Sequence, residues 1–168
     1  MKNRQSIRLR QYDYSLPGAY FVTICVRNRE CLFGKIANGI MLMNQYGTIV
    51  NNCWFDLPNH YKNIKLDYFV IMPNHIHGII VIKNPIVGAR SSRPSWNWCQ
   101  SEKGRDDLAP TSNGRKDPTP TLGKIVAFFK YQTTKQFNEL QCIGMQKLWQ
   151  RNYYEHIIRN KIELNKIR

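Results

Sequence analysis

Tyr68-Phe-Val-Ile-Met-Pro-Asn-His75-Ile-His77-Gly-Ile-Ile-Val-Ile82 is the stretch on which the fold turns. Leu66 to Met72 and His75 to Ile82 each have the β-branched and aromatic content of a strand, and Pro73-Asn74 breaks the run between them. Residues two apart on a strand point to the same face, so His75 and His77 present two imidazoles side by side. Neutral imidazole is a common metal ligand, and two adjacent buried histidines with neither ligand nor partner are costly. One divalent ion held between them is the first reading. The second is a pair of ordinary strand residues at a sheet end, hydrogen-bonded to neighbours, because His-x-His is short and recurs by chance. Spacing alone leaves both open. Gly78 is expected to leave space for a substrate backbone to approach.

Working outward, Tyr20 to Arg27 reads as a further strand, expected to be central. Between Gly34 and Met43, Asn38-Gly39 predicts a two-residue hairpin turn. Asn44 can cap a helix whose stripe is Tyr46, Ile49, Val50, Cys53, Trp54 and Leu57, with Pro58 expected to end it. His60, near that end, is expected to be a solvated loop residue. Thr121 caps a second helix with the stripe Leu122, Ile125, Val126, Phe129, Thr133, Phe137 and Leu140; Lys124, Lys130 and Lys135 are expected to face outward. Leu148 to Ile158 is expected as a last strand, and Asn160 as the cap of a helix beginning at Lys161. Residues 84–120 change composition to Ser, Pro, Gly, Asn and charge, with Trp96 and Trp98 as their large apolar groups. They are expected as a disordered insertion in a single domain spanning 1–168. The element order predicts an α+β fold, a mainly antiparallel sheet backed by helices.

The 168 residues include 42% hydrophobic ones, enough for a core, and 25 Lys and Arg against 11 Asp and Glu, for a net charge of +14. Such a field gathers polyanions, so nucleic acid is the default partner and an anionic membrane its competitor. No segment approaches the roughly 18–20 apolar residues a bilayer span needs, which argues against a membrane protein. Met1 to Arg10 is basic without a following apolar run of signal-peptide type, so a cytoplasmic location is expected. Cys25, Cys31, Cys53, Cys99 and Cys142 lack zinc-site spacing and are read as reduced thiols, mostly packing.

DNA binding needs basic groups for phosphates and aromatic faces for bases. Lys2, Arg4, Arg8 and Arg10 form a basic arm flanked by Tyr12 and Tyr14. Arg27 and Arg29 follow the first strand, and Arg151 and Arg159 bracket Tyr153 and Tyr154. Each of these charges taken singly also reads as a solvated surface group. His156 shares a strand face with Tyr154 and either lines the DNA site or bonds a structural neighbour.

Met72-Pro-Asn-His75-Ile-His77-Gly78 resembles the core motif of the REP-associated tyrosine transposases, single-tyrosine HUH proteins related to insertion-sequence transposases. Further blocks resemble the family in the same order: Ser6 to Arg10 with Tyr12 to Ser15, Pro17 to Cys25, Asn28 to Gly34, Thr121 to Val126, and Leu148 to Asn160. The insertion from about Val87 to Pro118 falls outside the resemblance. The resemblance implies an HUH endonuclease fold of ferredoxin/RRM type, Mg²⁺ or Mn²⁺ at His75 and His77, and single-stranded or hairpin DNA as partner. A second copy of the chain, in a homodimer, is a candidate partner too. It also implies cleavage and rejoining of one DNA strand through a 5′-phosphotyrosine.

The family's nucleophilic tyrosine lies on the helix after Asn160, in a run resembling Tyr-Ile-x-x-Asn-Pro. The register puts it about two residues past Arg168, with an Asn one turn further that would complete the metal shell. The expectation is therefore a C-terminally truncated copy, with a non-cutting DNA-hairpin binder as the alternative. Tyr153 and Tyr154 are the substitutes for the nucleophile; aromatic packing or base stacking is their competing reading.

Overall fold

The structure is a computed structural model that describes residues 12–83, 120–141 and 146–168. The arm residues Lys2, Arg4, Arg8 and Arg10, the insertion apart from Pro120, and Cys99 and Cys142 lie outside the described residues.

Strand β1 (Gly18–Cys25) is followed by a single 3-10 turn and a ribbon of β2 (Gly34–Ala37) and β3 (Ile40–Met43). Asn38 and Gly39, at φ of 51° and 77°, make the tight turn that their sequence predicts. Helix α1 (Gln45–His60) starts at Asn44, whose side chain accepts from the backbone N–H groups of Tyr46 and Gly47, both at 3.0 Å. Then come β4 (Ile64–Met72), β5 (His75–Ile82), α2 (Leu122–Gln141), β6 (Tyr154–Ile158) and α3 (Lys161–Ile167). The main sheet has the order β4-β5-β1-β6, every neighbouring pair antiparallel. With α1 and α2 as its two helices, this is the ferredoxin-like arrangement. β1 is central, as expected.

Alternate residues of the two central strands face the helices. Tyr20, Val22, Ile24, Ile76, Ile80 and Ile82 are buried there, against Trp54 and Leu57 of α1 and Leu122, Ile125 and Phe129 of α2. Trp54 lies flat on Phe69 at 4.6 Å and edge-on to Phe129 at 5.4 Å. Gly78 belongs to this face: a Cβ there would run into the Trp54 ring. It makes room for packing and not, as expected, for a substrate backbone.

Five other expectations are corrected. Pro58 does not end α1, which runs on to His60. In the last turn a proline costs one intrahelical donor, and Tyr61 closes the end by donating to the Leu57 carbonyl at 2.9 Å. His60 is not a solvated loop residue, since its ring stacks on Phe128 at 3.8 Å. Leu140, in the last turn of α2, is 39% exposed. Lys130 does not face outward: its ammonium donates to the carbonyls of Gln150, Arg151 and Asn152 at 2.6, 3.4 and 3.3 Å. The segment 148–158 is only partly strand. Trp149 forms an isolated bridge with Val26, and its indole N–H donates to Thr133 at 2.7 Å.

Candidate metal centre and nucleic-acid face

The sheet face opposite α1 and α2 carries the candidate residues. The register sets His75 opposite Cys25 and His77 opposite Thr23, and on the other side of β1 it sets Tyr154 opposite Thr23 and His156 opposite Phe21. These side chains share one face because they alternate with the core residues.

His75 and His77 meet with their Nε2 atoms 3.0 Å apart and their rings at 81°. Each Nδ1 is tied off. That of His75 lies 2.6 Å from Oδ1 of Asn74, whose amide donates to the Arg29 carbonyl at 3.2 Å. That of His77 lies 2.8 Å from Oγ1 of Thr23. The His77 ring also stacks on Phe21, centroids 5.4 Å apart. Burial, and then the Arg29 charge, hold His75 below the ordinary imidazole value; burial, and then His75, do the same for His77. Both are therefore neutral at pH 7 and have lone pairs to give.

The donor set fits a divalent cation. The two Nε2 atoms, 3.0 Å apart on one face, would be the protein's donors to such an ion. Among the described residues no group of three or more His, Cys, Asp or Glu converges to hold a metal. A cation held by this pair would take its other ligands from water or from substrate oxygens, as at an open site.

Arg27 and Arg29 lie exposed on the 3-10 turn after β1. Arg29 adopts φ of 57°, a left-handed conformation unusual for a long side chain, and its carbonyl is held by Asn74. This brings its charge within reach of His75. Arg151 and Arg159 are also exposed. Tyr154 is 55% exposed on the His face, one strand removed from His77. Tyr153 is partly buried and packs against the core. His156 has a neighbour on this face, with Nε2 2.7 Å from Oε1 of Glu163.

Glu163, Thr23, Asn74 and Lys130 were not singled out from the sequence as partners of the site. Glu163 binds His156, and its other oxygen accepts from the Arg159 N–H at 2.7 Å. At the far end of α3, Arg168 pairs with Asp67 of β4 at 2.6 Å and lies over the Tyr68 ring. The short helix thus crosses the open face from β6 to β4. Thr23 and Asn74 act only through strand register and turn geometry; Asn74 adjoins His75 and was the more findable of the two.

No family model matches the sequence. The described fold resembles a solved structure of the REP-associated tyrosine transposase bound to a REP hairpin, with a TM-score of 0.55 and 18% identity over 95% of this chain and 67% of that one. The chain therefore has the fold of a tyrosine transposase. An uncharacterised protein of Haemophilus influenzae is 41% identical over 159 residues, 95% of this chain and 81% of that protein. The chain belongs to the family of that Haemophilus protein.

Proposed function

We propose that this chain is a transposase-type DNA-binding protein that holds a divalent cation between His75 and His77 and takes a DNA hairpin with a single-stranded tail across the same sheet face. The observation that carries this is the 3.0 Å approach of two neutral imidazole nitrogens, on the open face of a transposase fold. That relative's hairpin supports the choice of partner. A bound Mg²⁺ or Mn²⁺ supplies charge neutralisation at phosphoryl oxygens. Arg27, Arg29, Arg151 and Arg159 meet phosphates, and Tyr154 offers an exposed ring to a base. His156 and Glu163 steady the wall beside it. Among the described residues no helix is long and apolar enough to cross a membrane, and a cytoplasmic site of action follows from the DNA partner.

Cleavage by the family's route needs a tyrosine oxygen to attack phosphorus. The bond to the 3′ oxygen breaks, the freed 3′ hydroxyl takes up a proton, and the 5′ phosphate stays on the tyrosine. Lys161–Arg168, where the resemblance starts the tyrosine helix, contains no tyrosine. The described residues supply groups for binding DNA and a cation, and binding is the function proposed for them. In fluorescence anisotropy with a tailed hairpin and Mg²⁺, affinity should fall about a thousandfold between roughly 50 and 200 mM salt, as for six or more phosphate contacts. A flat response would count against the nucleic-acid reading. Denaturing gels should show no covalent adduct. An adduct that disappears in Tyr154→Phe would instead make Tyr154 the nucleophile.

A further inference from the structure

We propose that Thr23 is a positioning residue that sets the tautomer of His77, accepting or donating a hydrogen bond as required, so that the proton shared by the histidine pair can move to Nδ1 of His77 and leave both Nε2 atoms to a cation. This rests on the reading of the pair as a cation site.

Asn74 fixes the first proton of the pair. Its amide NH₂ donates to the Arg29 carbonyl at 3.2 Å, so its Oδ1 faces His75 and can only accept. Nδ1 of His75, 2.6 Å away, is therefore the donor. A neutral imidazole has one N–H, which leaves Nε2 of His75 bare. Nε2 of His77 lies 3.0 Å from it. Two bare nitrogens at that distance repel, so something positive lies between them.

Without a cation that something is a proton. His77 carries it on Nε2 and donates to His75. Nδ1 of His77 is then bare and accepts from the Thr23 hydroxyl at 2.8 Å. With a cation both Nε2 lone pairs turn to the ion. The His77 proton moves through solvent to Nδ1 and is donated to Thr23 Oγ1, whose own hydrogen rotates away. The count of protons is unchanged: His77 has one N–H before and after, and none is released. A hydroxyl serves both states because it can donate and accept, whereas a carboxylate or an ammonium would fix one. Asn74, acceptor-only toward His75, holds that ring ready in both.

The test has two readouts. Long-range ¹H–¹⁵N NMR of the metal-free protein should find His75 as the Nδ1–H tautomer and His77 as Nε2–H; saturation with Mg²⁺ should turn His77 to Nδ1–H. Thr23→Val strands the Nδ1–H of the metal-bound state, and its Mn²⁺ affinity should fall about tenfold or more. Thr23→Ser should restore it. A metal-free His77 already in the Nδ1–H form, or a folded Thr23→Val that binds Mn²⁺ as tightly as wild type, would overturn the proposal. If Thr23→Val does not fold, the wild-type tautomers decide alone. His75→Ala separates the two levels. Mn²⁺ binding unchanged in that variant removes the cation site itself, whereas binding lost there but kept in Thr23→Val removes only the role of Thr23.

Discussion

A hydrogen where other residues carry a methyl lets the Trp54 indole lie against β5 at Gly78. Gly78→Ala should therefore cost about 1–3 kcal/mol, the range for overpacking a filled core. Urea denaturation measures this, and an unchanged midpoint would show that Trp54 has room to yield. The same residue shows where sequence reasoning stops. Adjacent to the histidines in sequence, Gly78 invited a role at their site, yet alternation turns it to the opposite face. His75 and His77 were legible because their relation is purely local: two residues apart on one strand. The roles of Lys130 and His60 depend on segments 20 and 68 positions away, Gln150 and Phe128. No pattern within either residue's own helix announces them. Lys130 keeps its place under three carbonyls although burial draws its ammonium down to about 8.

At the scale of elements, α3 is seven residues long, too short to persist alone. It depends on its tethers. Asn160 caps it by accepting from the Glu163 N–H at 2.8 Å, and Glu163 reaches back to Arg159 and His156. The Arg159 N–H first, and then His156, hold the Glu163 carboxyl below its usual range. Glu163→Ala should remove amide hydrogen-exchange protection from Lys161–Ile167 while leaving β1 and β5 unchanged. Equal loss in those strands would mean that Glu163 supports the whole core. Asn160 and the Asn38-Gly39 turn could be read in advance because caps and tight turns are set by a few neighbouring residues. The end of α1 could not. Pro58 is a strong local stop signal, but the packing of Trp54 and Leu57 carries the helix past it. Strand order was likewise out of reach, since strand-forming runs do not name their partners.

At the scale of the molecule, both long helices cover one face of the sheet, and the order β4-β5-β1-β6 brings Thr23 beside the histidine pair on the other. Tyr154 and His156 join that face from β6, and α3 crosses it. A chain of net charge +14 draws a polyanion toward such a surface. If cation and DNA meet there, each strengthens the other's binding by the same factor. The central claim is then tested by the affinity for a tailed DNA hairpin, measured with and without Mn²⁺, in wild type and in the His75→Ala, His77→Ala double variant. The account predicts that Mn²⁺ tightens binding about tenfold in wild type and leaves the double variant unchanged. Equal Mn²⁺ effects in both proteins, or none in wild type, would contradict it.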